Sequence, residues 1–459
     1  MQLKNKRRES ATLIAKKLSA ATGALLGGVA PGVTHAADGS KGDWDFETAV
    51  LYYAESGNRV NAVEPVIKAR RYLGDDEFLD LKLVVDSLTG STPTGAVPTT
   101  QVQTYTRPSG NGTYTVTGGE VPLDDTFHDT RTALSANWEK PFSRFSKGNF
   151  GINFSNEFDF RSQGVNANFS HDFNQRNTTL SLGFALENDT IDPLGGIPLE
   201  LSTVASAAAG GGNEDDGFEE GDDDAYEGAG NDDLPANRRA TSDSRDQVDL
   251  LLGLTQIISP RTIMQFNISH SESNGYHNDP YKVISIVDAA PGPNQGEPLE
   301  NIYESRPDSR SKTAFYWETR HSFDRDAIGF SYRYMSDDWG IKSHTAELRY
   351  FLMMDDGSYW QPHLRYYQQS AADFYRTLLL NSEPVPQYVS ADYRLGDMTG
   401  ITYGLKYSHL LENDKRVEFR LEMMSQTNDP SPGSRIGNQA NRKLILDTDA
   451  LIFQVSYSF

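Results

Sequence analysis

The chain has 459 residues, with 42 basic and 64 acidic side chains, a formal charge of −22 and no cysteine. Such acidity disfavours binding of nucleic acid or anionic phosphates over the general surface. The lack of cysteine excludes disulfides, thiolate metal sites, iron–sulfur clusters, covalently attached haem and Cys nucleophiles, and no cofactor is expected.

Residues 1–36 read as a secretory signal peptide. Lys4, Lys6, Arg7, Arg8, Lys16 and Lys17 precede the mild apolar run "LSAATGALLGGVAPGV", and Thr34 and Ala36 satisfy the small-x-small cleavage rule. No acylatable Cys follows, and no later apolar run approaches 18 residues. A lipid anchor and a helical membrane protein are therefore excluded. Removing the leader leaves 36 basic against 63 acidic residues, a net charge of −27.

From residue 37 to 459 the dominant signal is alternation with a period of two. Residues 150–161 set Phe150, Ile152, Phe154, Phe158 and Phe160 against Asn153, Ser155, Glu157, Asp159 and Arg161. Residues 312–323 set Phe315, Trp317 and Phe323 against Lys312, Tyr316, Glu318 and Arg320. In "RVEFRLEM", residues 416–423, Val417, Phe419, Leu421 and Met423 share one face. A helix has no such period. A sandwich core would reject the charged faces, whereas a wet barrel lumen accepts them.

The pattern predicts strands near 44–54, 60–73, 77–88, 127–139, 148–160, 163–173, 177–188 and 245–258, then near 261–273, 310–323, 327–336, 341–353, 358–371, 399–411, 416–427 and 444–459. The fold class is all-β: a transmembrane antiparallel β-barrel of about 16 strands with long extracellular loops. With the N-terminus on the inner side, the turns "GDDE", "NQRN", "SPR", "DRDA", "MDDG" and "ENDK", and the longer "KPFSRFSKG", all fall inside. Segments 89–126, 189–244, 274–309, 372–398 and 428–443 all fall outside. Fourteen strands with a loop ribbon, or eighteen if "YVSADYRL" pairs separately, are the competing counts. The 44 Tyr and Phe residues suit aromatic girdles at two membrane interfaces.

The final run "LIFQVSYSF" alternates down to Phe459. It is similar to the C-terminal signal strand of bacterial outer-membrane barrels, which implies the barrel assembly machinery as a partner, with outer-membrane lipid and lipopolysaccharide around the wall.

Parity sends Glu64, Arg70, Asp80, Lys82, Asp129, Arg131 and Glu139 to the lumen. The later strands add Glu318, Arg320, Glu347, Arg349, Arg365, Glu418, Arg420 and Glu422. Opposite charges are interleaved, and mixed ladders are expected to pair across strands and brace the wall. The functional reading is a constriction: loop 89–126 folds inward and brings residues 122–131, with Asp124, Asp125, His128, Asp129 and Arg131, against the basic ladder.

The insert 205–235 contains "NEDDGFEEGDDDAYEGAGNDD", with 11 carboxylates in 21 positions. It reads as a disordered acidic external loop with at most weak binding of divalent cations, because a dedicated ligand order is missing. An enzyme is not expected. The candidates are His270 in "ISHSES" and His128 in the loop; Ser269 and Ser271 alternate to the face opposite His270, and a girdle or rim role is expected of the histidines. A TonB-dependent plug would need more than the few residues before Trp44.

The stretches "DSLTGSTPTGAVP", "YTVTGGEV", "DDTFHDTRTALSANWEKP" and "DYRLGDMTGITYGLKY" give the chain a resemblance to a proteobacterial outer-membrane β-barrel family, domain of unknown function three-five-seven-zero. The resemblance spans nearly the whole mature chain. It implies barrel architecture and an outer-membrane location, and it supplies no activity, metal site or catalytic residue. Two functions are therefore weighed: a channel or transporter for a small solute, and a surface-exposed binding protein that uses the barrel as scaffold.

Overall fold

A computed structural model describes residues 42–57, 59–109, 112–204 and 236–459. The leader 1–36 and the acidic insert 205–235 lie outside the described residues.

Sixteen strands close into one antiparallel barrel in which every strand pairs with its sequence neighbours. They are β1 (Trp44–Glu55), β2 (Asn61–Gly74), β3 (Glu77–Pro93), β4 (Leu123–Ser143), β5 (Ser146–Asn156), β6 (Phe160–Phe173), β7 (Thr178–Ile191) and β8 (Asp243–Ser259). The rest are β9 (Thr262–Gly275), β10 (Ser309–Ser322), β11 (Ala327–Asp337), β12 (Lys342–Met353), β13 (Tyr359–Gln369), β14 (Asp397–Leu410), β15 (Arg416–Asp429) and β16 (Thr448–Ser458). The expected count of sixteen is what is found.

The seam is the pairing of β1 with β16, in register from Glu47↔Ser458 to Glu55↔Ala450. Phe459 extends the seam by one residue: its carbonyl accepts from the Phe46 N–H at 2.8 Å, and its own N–H donates to the Phe46 carbonyl at 2.9 Å. Its ring stacks on Phe46 at 5.7 Å and on Tyr457 at 5.0 Å.

Alternation is realised as inside and outside. On β16, Leu451 and Phe453 are about two-fifths exposed, whereas Ile452 between them is fully buried. The outer surface carries Ile67, Leu83, Ile152, Leu182, Leu252, Ile268 and Leu364, all exposed, as an apolar band. Aromatics such as Trp44, Trp138, Phe169 and Trp360 lie beside the short-turn end. A surface of this kind fits hydrocarbon and not water.

The long connections all fall at one end, as expected, and the other end carries short turns alone; the connections 56–60, 157–159 and 338–341 at the long-loop end are short as well. The turn between β2 and β3 consists of Asp75 and Asp76 at φ 55° and 60°, the left-handed pair that a tight hairpin requires. Two boundaries differ from expectation. The stretch "KPFSRFSKG" is no long turn, since β4 and β5 run on until only Arg144 and Phe145 join them. The alternation of residues 150–161 is not one strand either. The chain reverses at 157–159, so Phe160 opens β6 and faces inward, while Phe158 is left exposed.

The long connections fold over the opposite end as a packed cap. Residues 283–287 pair with 298–303 antiparallel and with 379–380 in parallel, and 103–106 pairs with 113–116. Ile284, Ile286, Ile302, Val389 and Ala391 bury against one another. Ala96, Tyr105, Tyr114, Val283 and Tyr303 form a second apolar cluster. Gly95, at φ +100°, lets the first of these loops press on Val283, because a Cβ there would sit 2.2 Å from the Val283 carbonyl. Gln439 is fully buried, and its amide donates to the carbonyls of Pro98 at 2.7 Å and Gly296 at 2.9 Å, stitching three loops together. "YVSADYRL" belongs to this cap, with Val389 bonded to Ser305 and a single 3-10 turn at Tyr393–Leu395. That excludes the eighteen-strand count.

Candidate functional site

Between the underside of the cap and the barrel wall lies a chamber of about 330 Å³. Its roof is cap backbone and side chains held by buried ion pairs. Arg394 donates from Nε to Asp392 at 2.8 Å, and its Nη2 reaches Asp279 at 2.5 Å. Arg306 donates to the same Asp392 at 2.9 Å and to Glu304 at 3.0 Å. Although burial alone raises a carboxyl, Arg394 and Arg306 hold Asp392 well below the usual carboxylate range.

The wall grips this roof. Gln369 of β13 donates to the carbonyls of Arg394 and Gly396, at 2.8 and 3.0 Å, and Asn428 of β15 donates to Tyr393 at 3.0 Å. Lys282, whose pKa burial pushes down, donates to the Pro93 carbonyl at the end of β3. His277 lies between Ser273 Oγ and the Gly275 carbonyl, each 2.8 Å away, with Trp339 edge-on to its ring. Burial, with Arg245 and Arg310 nearby, pushes its pKa down to about 4.

Two strand rows supply the floor and sides, through Arg333, Thr345, Tyr367 and Gly400 of one and Arg365 and Thr402 of the other. One row runs Tyr316, Arg333, Thr345, Tyr367, Gly400 across β10 to β14. The row toward the turns runs Glu318, Ser331, Glu347, Arg365, Thr402. Arg310 of β10, farther along the strand toward the cap, donates from Nε to Asp337 at 2.9 Å and lies 4.4 Å over the Trp339 ring. On the adjacent strands β8 and β7, Arg245 pairs with its cross-strand neighbour Asp189 at 2.5 Å.

The predicted lumen charges divide into separate groups. Arg131 pairs with Asp86 at 2.6 Å on neighbouring strands, with Asp129 beside them on the inner face of β4. Glu318 binds Arg320 at 2.8 Å and Glu347 binds Arg349 at 2.7 Å, each along its own strand. His363 sits between Glu347 at 3.2 Å and Glu422 at 3.1 Å. Glu418 accepts from Lys406 at 3.2 Å and from the Tyr359 hydroxyl at 3.1 Å. Arg420 donates to Gln454 and lies 4.0 Å from Glu422. Arg365 stands in the chamber row.

The inward-folding acidic segment is a correction. From Leu123 onward, "DDTFHDTR" is not loop but the start of β4, because its alternation follows the pairing with β3. Asp124 is bound to Arg107 of the loop at 2.6 Å, and His128, on the opposite parity from Asp129, is exposed on the outer face. The side chain of Asp125 lies outside the described residues. These groups do not converge on the basic ladder. His270 is likewise outward, bonded to Thr313 and Glu272 at 3.0 Å, while Ser269 and Ser271 are buried on the lumen side.

Residues absent from the sequence-based candidate set include Arg245, Arg310 and Arg333. The strand parity that placed their neighbours places them too. The cap groups Arg306, Arg394, Asp279 and His277 carry no periodic signal. Among the described residues no group of three or more His, Asp or Glu side chains could hold a metal ion.

A family model described as "Protein of unknown function (DUF3570)" matches residues 15–459. Similar solved structures include OccK5 (OpdH) of Pseudomonas aeruginosa, at 9% identity over 91% of this chain and 98% of that one, with a TM-score of 0.38. OmpT, an outer-membrane protein of Vibrio cholerae, is 9% identical over 92% of this chain and 100% of its own, with a TM-score of 0.37. The siderophore receptor PirA from Acinetobacter baumannii is 9% identical over 85% of this chain and 54% of its own, with a TM-score of 0.39. No curated protein matches the sequence.

Proposed function

We propose that this chain, which belongs to the family described as protein of unknown function DUF3570, is an outer-membrane barrel that takes up or passes a small polar solute through its lumen. The outer location is supported by the apolar outer band, the aromatics near the short-turn end, the short turns at one end with long loops at the other, and the leader-like residues 1–36. On this reading Phe459 marks the chain for the assembly machinery of that membrane.

The observation that carries the solute reading is the chamber. A barrel serving only as a scaffold gains nothing from a cavity of about 330 Å³ lined by charged side chains beneath the cap. Burying unmatched charge is costly, and sites of this kind are where ligands bind.

The test is electrical. Refolded full-length protein in planar bilayers gives discrete current steps, and shortening the cap loop 370–396 enlarges them. A protein that inserts, shows heat-modifiable mobility and yet carries neither current nor solute into liposomes would overturn the reading in favour of a surface-exposed binding scaffold.

A further inference from the structure

We infer that the chamber is a binding site for a small oxyanion, a carboxylate or a phosphate, held by Arg333 and Arg365 with Arg310 above them; the inference rests on the solute reading and names the class of solute.

Among the lumen cations Arg333 and Arg365 stand apart. Arg131, Arg245, Arg310, Arg320, Arg349 and Lys406 each have a carboxylate oxygen within 3.2 Å. Arg333 and Arg365 make neither a hydrogen bond nor an ion pair among the described residues, and Arg365 lies 5.8 Å over the ring of its neighbour Tyr367. The Nε of Arg365 and one Nη of Arg310 are buried donors with no acceptor. Buried guanidinium donors without acceptors are costly, and bringing two guanidiniums together adds repulsion.

The register sets the surroundings of the two arginines. Glu347 is the direct cross-strand neighbour of Arg365, yet its carboxylate is bonded to Arg349 and His363. Glu318 stands one row below Arg333, and it is bonded to Arg320 and to the Tyr316 hydroxyl at 2.9 Å. Glu318 and Glu347 are turned away, toward the short-turn end, and Glu422, whose charge also reaches Arg365, is bonded to His363 at 3.1 Å. The remaining neighbours of Arg333 and Arg365 in their rows are neutral: Tyr316, Thr345, Tyr367, Gly400 and Thr402.

Two forked guanidiniums on strands separated by one other strand form a clamp for a planar carboxylate or a tetrahedral phosphate. Gly400, on the strand beside Arg365, leaves space in the same row, since a Cβ there would touch nothing nearer than 3.8 Å. At about 30 Å³ per water, the cavity holds roughly ten waters, or an anion of about that many heavy atoms.

The experiment is isothermal titration of the refolded full chain in detergent with inorganic phosphate, succinate and choline. Phosphate or succinate binds saturably and choline does not; which of the two binds identifies the source of the oxyanion. Arg333→Gln with Arg365→Gln weakens that binding by roughly tenfold to a hundredfold. Gly400→Phe, which fills the chamber without changing charge, abolishes it. Arg261→Gln, the same kind of charge change on an exposed turn, leaves it intact. Each variant is first shown to retain heat-modifiable mobility. Lack of saturable binding by either anion, or undiminished binding by both chamber variants, overturns the inference. Bilayer currents separate the two claims: anion binding without conductance defeats transport and leaves the site, whereas conductance without saturable anion binding defeats the site and leaves transport.

Discussion

The barrel wall and the loop cap solve opposite solvent problems within one chain. In the wall the apolar side chains point out and stay uncovered, as with Ile152 at 62% and Leu182 at 61% exposure. In the cap the apolar side chains point in, and Ile284 and Val389 are fully buried. The wall therefore depends on lipid, with a backbone ladder that satisfies itself around the ring. The cap depends on excluding water from its own small core, and on ion pairs placed inside it. A charge placed on the outer face should damage the wall, and a charge removed from within should damage the cap.

The largest effect is expected in the cap. Asp392→Asn leaves Arg306 and Arg394 buried without their shared carboxylate, a loss of about 3–5 kcal/mol in cap stability. Hydrogen exchange across residues 389–396 should rise while the barrel keeps its heat-modifiable mobility. Simultaneous unfolding of the barrel would break the comparison, because cap and wall would then be one cooperative unit.

In the wall, Phe419→Arg on the lipid face should cost about 2–4 kcal/mol. Its lumen-facing neighbour Arg420→Gln should cost well under half of that, since the lumen remains polar. Unfolding titrations in lipid that rank the two the other way would place Phe419 inside.

Acidification sharpens the contrast. His277 is held at about 4 against an ordinary value of 6.5, so between those pH values the opened cap takes up a proton that the closed cap refuses. Cap stability is full above about pH 6.5 and falls as pH drops toward 4, by at most about 3 kcal/mol. Exchange at cap amides measured at pH 7 and 5 should show this loss, and His277→Gln should flatten it.

The smallest effect belongs to the turns. Arg261 meets Asp324 at 2.7 Å, but both are largely exposed. Arg261→Gln should change stability by less than about 1 kcal/mol in a denaturant titration.

The wall was almost wholly legible in the sequence, for the reason that makes it stable. Each strand is paired with its neighbour in the chain and faces two solvents of opposite polarity, so one local period of two records both facts. Even Arg333 and Arg310 follow from the parity of "FSYRYMSD" and "SRSKTAFYW". The direction of the ion pairs was not recorded there. Pairing across strands was expected, yet Glu318–Arg320 and Glu347–Arg349 join positions two apart on one strand. Such positions lie about 7 Å apart on the same face, within reach of a long arginine. The cap left no periodic trace, because Val97, Val287 and Leu378 meet only after three separate loops have folded together. Leu444 shows the boundary between the two regimes: expected to open β16, it is buried before that strand begins at Thr448.

The seam between β1 and β16 has a consequence for the history of the molecule. The fourteen strands β2 to β15 pair on both sides with their neighbours in the chain, whereas β1 must wait for β16, about four hundred residues downstream. Until it arrives, one side of β1 is an open row of unpaired N–H and C=O groups beside exposed Val50 and Tyr52, a template on which any other extended chain can add. Until the ring closes, the growing sheet has two open edges, that of β1 and that of its latest strand, and the pairing of β1 with β16 removes both at once.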